Sequence, residues 1–495
     1  MRAAPIVAAT LLRLVSTCDV LSIDSPTPTS LTRQYFASFN IDSSRQRSYF
    51  DVDIATPQLA YLASQIGGGN NIRFGGTGND FLYYEVPGLP PCPTTIPYIN
   101  ECFNMSLWQS LTSFASSSAS GLIFGLSLLP FNSTWTPNPY PKPTSDWVWN
   151  STNAAALLRH AKASGTPLWG LECGNEDNSK VWAASQQASA LVELTRVLDD
   201  VYGDGPDRPV LVGPDASGFH DAVVGGRNAA ILAYMVDFLN HTQSFLRAIT
   251  HHEYIEITYE NVLNHTFLDA TRDIADAVVA AVRAVNATTE IWAGEIGPHN
   301  GGDFPNPNCA SNRVCGRFGS ALWYADAMSA VARAGYSAFQ RQDFIGADYG
   351  LVNYTSFRPS PDYWLLYLWR RVVGTAVLDV RNGRGNPSVR AYGFCARAPS
   401  RVALIVLNLD AAENCVALPA DAVADSEFLV WSMTAGEGGV ESADVLLNGV
   451  LLELDGNGRI PPTDGALILG TNATLPAQSI SFFVYNTTLA ACSGA

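Results

Sequence analysis

Lysine is almost absent: Lys142, Lys162 and Lys180 are the only three in 495 residues. Lysine and arginine together number 29 against 45 acidic residues, which leaves a net charge of −16 and a pI near 4.8. A field of that sign repels polyanions over long range, so a nucleic-acid binder or a partner of anionic membranes is excluded. An anionic substrate must be gripped locally, by a few Arg or His side chains. Charged residues make up only 15% of the chain and hydrophobic ones 47%, a balance that buries a large core and excludes intrinsic disorder. After the first residues no stretch reaches 18 unbroken apolar positions. No membrane span is therefore expected, although peripheral association is compatible with the composition. No Cys-X-X-Cys or zinc-like spacing and no cofactor motif occurs, so no metal and no cofactor are expected and activity should survive chelation. Solenoid repeats and long low-complexity tracts are also missing.

What is present begins with Arg2 and the apolar Ala3 to Leu12, followed by Ser16-Thr17-Cys18. Residues 1–18 read as a signal peptide, interrupted by Arg13, and Cys18 is expected to leave with it. Sequons at Asn104, Asn132, Asn150, Asn240, Asn264, Asn286, Asn353, Asn472 and Asn486 point the same way, to a secreted protein or one in a lysosome-like acidic compartment. Of the remaining cysteines, Cys92 with Cys102 and Cys309 with Cys315 are close pairs in loops rich in Pro and Asn. Cys395 and Cys492 flank the C-terminal block. Each pair can form a disulfide, though spacing alone does not fix pairing.

Short apolar runs alternate with helical patterns over the first three quarters of the chain. Strands are expected at Tyr35 to Ile41, Asn71 to Phe74, Leu122 to Leu128, Leu168 to Cys173, Val210 to Val212, Phe245 to Thr250, Glu290 to Ala293 and Tyr336 to Arg341. Between them, apolar residues at three- and four-residue spacing mark helices such as Thr152 to Ala163 and Phe318 to Ala334. Eight such units suggest a (β/α)8 barrel over residues 34–375. Beyond Gly374 short strands divided by Gly, Pro, Asn and Asp turns suggest a β-sandwich over 376–495. The segment 19–33, with the strand Val20 to Ile23, is expected to join it.

Two of the barrel strands have the same grammar. Leu168-Trp169-Gly170-Leu171-Glu172-Cys173 runs into Gly174-Asn175-Glu176, and Glu290-Ile291-Trp292-Ala293 runs into Gly294-Glu295. Each brings a carboxylate to a strand end, on the fourth and seventh strands. Barrel active sites lie at that end. A pair of such glutamates is what a glycosidase uses, one to protonate the leaving oxygen and one to attack the sugar carbon.

With Ile72-Arg73-Phe74-Gly75-Gly76-Thr77, Trp149-Asn150-Ser151-Thr152-Asn153-Ala154, Gly174-Asn175-Glu176, Val212-Gly213-Pro214-Asp215, His251-His252, Gly294-Glu295, Arg341-Gln342 and Pro361-Asp362-Tyr363-Trp364 in order, the chain resembles the heparanases and related β-glucuronidases of glycoside hydrolase family 79. The resemblance covers nearly the whole mature chain. It implies a retaining glycosidase with Glu176 as general acid/base and Glu295 as nucleophile, their carboxyls roughly 5 Å apart. At that separation the charge on Glu295 keeps Glu176 protonated for the first step. It further implies that Asn175 bonds the sugar 2-hydroxyl, and that Tyr349 and Gly350 receive the glucuronate carboxylate through a hydroxyl and a backbone N–H. Asp42 and Thr77 are placed on the sugar, and His251 and Tyr254 beside the nucleophile. His251 reads equally as part of a packed histidine pair. Gln342 is counted with the substrate contacts although it, like Arg73, reads equally as a structural group. Lys180 is one of the few cations near the acid.

The departures narrow the substrate. Only the proline-rich Glu85 to Glu101 occupies the place of the excised linker of two-chain heparanases, so a single working chain, and a monomer, is expected. His251-His252-Glu253-Tyr254 stands where the family often has His-His-Tyr-Tyr, which leaves open whether Glu253 replaces a substrate-contacting tyrosine. Gly218-Phe219-His220 replaces expected Gln and Arg, and the loop 296–302 is variant. The expected substrate is accordingly a polysaccharide or glycoconjugate carrying β-linked glucuronic acid. A non-catalytic glycan-binding relative and a retaining glycosidase for a neutral sugar are the alternatives. Internal versus terminal cleavage stays open.

Overall fold

The computed structural model describes residues 18–24, 27–43, 54–92, 101–128, 147–180, 182–219, 227–300, 313–419 and 427–493. Eight parallel strands close into a barrel: β1 (Ala37–Asp42), β2 (Asn71–Gly75), β3 (Gly121–Leu126), β4 (Leu168–Cys173), β5 (Val210–Phe219), β6 (Leu246–Glu253), β7 (Glu290–Ile296) and β8 (Ala338–Arg341). Closure is made by β8 against β1, with Phe339 opposite Ala37 and Arg341 opposite Phe39. All eight sequence-expected strands are present. β5, β6 and β7 run three residues or more beyond their expected ends. Asp215, His252 and Glu295 break the apolar pattern there, yet they stay in the sheet because they face one another across the barrel mouth.

Helices α1 (Pro57–Ile66), α2 (Met105–Ser117), α3 (Thr152–Ala163), α4 (Ala184–Tyr202), α5 (Arg227–Thr242), α6 (His265–Val285), α7 (Phe318–Ala334) and α8 (Pro361–Val372) follow the strands in turn. Asn104 and Asn264 start α2 and α6 by accepting backbone N–H bonds with their side chains, at Ser106 and Leu107 and at Thr266 and Phe267. α7 is buried from Phe318 through Ala332 because it packs on the barrel on one side and on the C-terminal sheets on the other. Among the described residues no helix is long and apolar enough to cross a membrane.

Past α8 the chain enters Val373–Leu378 directly and builds two sheets. The larger has nine strands around Arg401–Asn408 and Ser479–Asn486, and the smaller has four. Leu404, Val406 and Phe483 from the first meet Leu21, Val416 and Leu475 from the second in one apolar layer. The N-terminal segment joins both sheets. Asp19–Ile23 lies between Val380–Asn382 and Asn414–Ala417, and Ser30–Leu31 pairs with Val373–Leu378.

The cysteines pair as follows. Cys18, expected to leave with residues 1–17, is here bonded to Cys415, 397 residues away. Residues 1–17 lie outside the described residues. Cys92–Cys102 and Cys395–Cys492 are bridged as expected. Cys315 is disulfide-bonded, and Cys309 lies outside the described residues. Cys173 is a buried free thiol.

Candidate active site

The barrel interior is layered. Ile123, Val212, Ala248, Trp292 and Ala338 form an apolar plug at the N-terminal end, with Tyr35 and Trp169 packed against it. Above it strand alternation turns to ionisable residues. In β2, Ile72 and Phe74 face the helices, so Arg73 between them faces the barrel axis. Its fork is fully used: Nε meets Glu172 Oε2 at 2.7 Å, Nη1 meets Glu295 Oε2 at 3.0 Å, and Nη2 meets both Asn175 Oδ1 and Asp215 Oδ2 at 3.0 Å.

A single guanidinium does not neutralise three carboxylates in a dry site, and the proton balance reflects that. Burial drives Glu172 well above the usual carboxyl range. Burial works the same way on Asp215, but Arg73 and His252 outweigh it and hold Asp215 well below. The two acids share a hydrogen bond, with the proton on Glu172.

Gly174 (φ 80°) sends the chain out of β4, and only glycine fits there: a Cβ would lie 2.0 Å from Asp177 Oδ2 and 2.4 Å from Leu128 Cδ1. Glu176 then adopts φ 55°, a left-handed conformation that costs on the order of 1 kcal/mol outside glycine, and its N–H bonds Asp215 O at 3.1 Å. On the opposite wall the ladder between β6 and β7 slips, so that His251 pairs with Ala293 but His252 pairs with Glu295. That bulge turns Glu295 inward directly after Gly294. Oxygens of Glu176 and Glu295 come within 4.8 Å of each other. The Glu176 side chain is 26% exposed and Glu295 10%, so Glu176 sits at the mouth and Glu295 beneath it.

Glu295 is held on both oxygens. Arg73 takes Oε2, and the Tyr254 hydroxyl donates to Oε1. Burial raises the Glu295 carboxyl, while His252 and Arg73 pull it back toward the ionised form and Glu176 and Asp42 add to the rise. Tyr254 is thus placed on the nucleophile candidate itself, and its own proton is kept well above the usual phenol range by burial and by Glu295.

The histidines divide in a way the sequence reading did not anticipate. His251, expected beside the nucleophile, points out of the barrel, where Nε2 bonds the Tyr336 hydroxyl at 2.8 Å and the ring packs on Phe219. Burial, with the neighbouring His252 charge, lowers it to about 3, so it is neutral. His252 points in, with Nδ1 2.8 Å from Glu176 Oε1 and 3.8 Å from Glu295 Oε2, and Nε2 3.5 Å from Asp215 Oδ1. Burial opposes its charge, but Glu295, Asp215 and Glu176 raise it to about 10. Glu253, the residue in place of a family tyrosine, shares the outward face with His251 and accepts the Thr271 hydroxyl at 2.6 Å, so it does not reach the site.

Of the other expected residues, Asp42 and Gln342 meet one another, Nε2 to Oδ2 at 2.7 Å, on the barrel floor beside Glu295. Thr77 Oγ1 lies 3.5 Å from Asn175 Nδ2. Tyr349 is buried near Tyr254, under the Arg341 guanidinium. The Gly350 N–H is spent on Ala347 O at 2.9 Å, which takes it away from the carboxylate role the resemblance implies. Lys180 closes the turn Asp177–Lys180, and its side chain lies outside the described residues. Arg313, Arg317 and Arg358 line a cavity of about 600 Å3 beside Gly350 at the barrel rim.

Arg73, Glu172, Asp215 and His252 are site residues to which the sequence alone gives no role. The available signal was parity: an ionisable residue in the middle of a buried strand, two positions from an inward one, must face another of opposite charge. Glu176, His252 and Glu295 also have the spacing of a cation site, within 4.8 Å. The same atoms are already engaged, Glu176 with His252 and Glu295 with Arg73 and Tyr254, so a cation there would compete with these bonds.

Residues 40–329 match the N-terminal domain of glycosyl hydrolase family 79. The chain is 27% identical to heparanase-like protein 3 of Arabidopsis thaliana, over 85% of this chain and 82% of that one. It is 25% identical to the baicalin-beta-D-glucuronidase of Scutellaria baicalensis (79% and 75% covered) and 28% identical to the heparanase of Mus musculus (79% and 71% covered). A solved 4-O-alpha-L-rhamnosyl-beta-D-glucuronidase from Fusarium oxysporum shares the fold at TM-score 0.65 and 15% identity, over 94% of this chain and 99% of that one. A bifunctional glucanase-xylanase from a metagenome library does so at TM-score 0.61 and 13% identity, over 95% and 99%, so the fold by itself does not choose the sugar. With its strand-end glutamates facing each other over Arg73 and with more than half its length in that match, the chain belongs to glycoside hydrolase family 79 and is a glycosidase.

Proposed function

We propose that the protein hydrolyses β-linked glucuronides in acidic glycans or glycoconjugates with retention of configuration, Glu295 attacking and Glu176 serving as acid and then base. The observation that carries this reading is the approach of the two carboxyl groups to within 4.8 Å, with the deeper one gripped by Arg73 and Tyr254. Retention needs carboxyls about 5 to 5.5 Å apart; inversion needs room for a water between them.

In the first step Glu295 must be ionised, which Arg73 and the His252 imidazolium favour. Its two held oxygens leave it one trajectory toward the anomeric carbon. Glu176 must carry a proton. Because His252 Nδ1–H donates to Oε1, that proton resides on Oε2, the oxygen left for the glycosidic bond. Once Glu176 carries the proton of the first step, Arg73 and His252 face the anions Glu295 and Asp215, and Glu172 stays neutral. Once Glu295 is a glycosyl ester its charge is gone. Glu176, stabilised as an anion by His252, then takes a proton from water for the second displacement. Asn175, its oxygen held by Arg73, has its amide N–H on the Thr77 side for the 2-hydroxyl.

The glucuronide is supported by the names of the relatives, a baicalin glucuronidase and heparanases, aligned over 79% of this chain. Secretion is supported by the sequons and by the disulfides Cys18–Cys415, Cys92–Cys102 and Cys395–Cys492, which suit an oxidising compartment. The test compares aryl β-glucuronide, β-glucoside and β-xyloside as substrates and follows the product anomer by NMR. A fluorinated glucuronide that traps the intermediate should label Glu295. Faster turnover of a neutral sugar sinks the glucuronide, an inverted product sinks the mechanism, and an enzyme inert on all three and unlabelled is a glycan binder.

A further inference from the structure

We propose that the cavity enclosed by Arg33, Arg370 and Arg397, at the end of the barrel opposite the catalytic pair, is a binding site for an oxyanion: a carboxylate, sulfate or phosphate group. The cavity has a volume of about 190 Å3, and no acidic residue lines it. In a chain of net charge −16 three guanidinium groups around one acid-free cavity call for a cause.

The arginines most buried in the fold all meet carboxylates: Arg73 meets Glu172, Asp215 and Glu295, Arg341 meets Asp362, and Arg390 meets Asp269 and Asp326, whereas Arg370 is partly buried. Arg370 has no carboxylate partner among the described residues. Its Nη atoms donate to backbone carbonyls of Gln34, Gly67 and Gly68 at 2.7 to 2.9 Å, and its buried Nε has no partner. Arg397 Nη1 donates to the carbonyl of Arg370 at 2.9 Å and so brings a second cation alongside. Burial, with Arg397 adding to it, lowers Arg370 to about 10. Two like charges set together with no counter-charge form a site that an anion relieves. Arg33 closes the third side, and the Glu290 it meets at 2.7 Å is shared with Arg247 at 2.8 Å. Phe36 and Trp369, stacked 6.0 Å apart, wall the cavity. Phe36 precedes β1, whereas Glu176 follows β4 and Glu295 stands at the C-terminal end of β7, so an occupant here does not compete with substrate.

The experiment uses the full chain. Binding of inorganic sulfate, free glucuronate and a glucuronate-containing oligosaccharide is followed by calorimetry and by Trp fluorescence, in wild type and in Arg397→Ala, whose side chain is exposed and whose loss spares the core. At least one probe should saturate wild type, and Arg397→Ala should weaken it about tenfold or more. Turnover of an aryl β-glucuronide should be unchanged in the variant, which separates this site from the catalytic one and from the fate of the proposed activity. Comparable affinity of free anion and oligosaccharide identifies a small-anion site; at least tenfold tighter oligosaccharide binding, lost in the variant, identifies an acidic-glycan site. Absence of saturable binding by every probe, or equal binding by wild type and Arg397→Ala, overturns the proposal, because sulfate acting as a general stabiliser affects both alike.

Discussion

His252 Nδ1 lies 2.8 Å from Glu176 Oε1, while the adjoining His251 faces the other side of the sheet and bonds Tyr336. Two identical side chains next to each other in one strand therefore differ in charge: burial opposes the charge on both, and the carboxylates of Glu295 and Asp215 overcome it only for the inner one. Only the inner one touches the groups that react.

His252→Gln should lower kcat/KM on an aryl β-glucuronide by about 10²-fold, as expected for loss of a charged hydrogen bond to an acid/base group. It should also move the acidic limb of the pH–rate profile upward, because His252 is one of the two cations that hold Glu295 toward its ionised form. His251→Gln is the contrast. It should leave the limb in place and cost about 1 to 3 kcal/mol of stability through the Tyr336 hydroxyl it leaves buried. A limb that shifts in the His251 variant and not in the His252 variant rejects the assignment.

Arg73→Met removes the counter-charge of Asp215 and Glu295 at once. Breaking a buried ion pair from one side costs about 3 to 5 kcal/mol, and urea unfolding should show a loss of that size together with loss of turnover. Arg73→Lys should not restore activity, since a point charge cannot reach Glu172, Asn175, Asp215 and Glu295 together.

Much of this was legible in the chain. The eight barrel strands stood out because their apolar runs are short and bounded, and β4 was readable to the residue. Glu176 and Glu295 could be found because each follows a glycine at a strand end. The polar middle of the barrel was not legible in the same way. Arg73, Glu172 and Asp215 sit inside apolar runs and acquire meaning only from partners 99 and 142 residues away. His252 follows the alternation of β6 from the inward Ala248, but the inward turn of Glu295 depended on a one-residue slip between β6 and β7 at Gly294, and a slip of one residue reverses every side chain beyond it. The Cys18–Cys415 bond was not legible either, because Cys415 belongs to a strand between Asn414 and Ala417 too short to show in the pattern.

Glu172 and Asp215 should respond differently to the same chemical change. Glu172 already holds the proton, so Glu172→Gln keeps a donor toward Asp215 and should leave turnover within about tenfold. Asp215→Asn leaves Arg73 and His252 facing each other without the anion between them, and should cost several kcal/mol and most of the activity. Equal losses in kinetics and in unfolding for the two variants would place the proton elsewhere.

Glu253 gives the fold a pH dependence separate from catalysis. Burial pushes its carboxyl from 4.5 up to about 8, and its Oε2 has no hydrogen-bond partner among the described residues, so the fold holds the neutral acid. Between those values the unfolded chain has released this proton and the folded chain has not. The folded state thus binds more protons, and stability falls as pH rises, by about 1.4 kcal/mol per unit while the difference persists. The contribution is fully present below 4.5 and gone above about 8. His252, raised from 6.5 to about 10, adds a loss of the same sign at higher pH. Urea midpoints measured from pH 5 to 9 should therefore decline, and Glu253→Gln, whose amide stays neutral at every pH, should flatten the profile below about pH 6.5 and lessen its slope from there to about 8, while leaving the later decline. A midpoint that rises through neutrality, or a Glu253→Gln profile parallel to wild type, would mean that Glu253 is ionised in the folded protein.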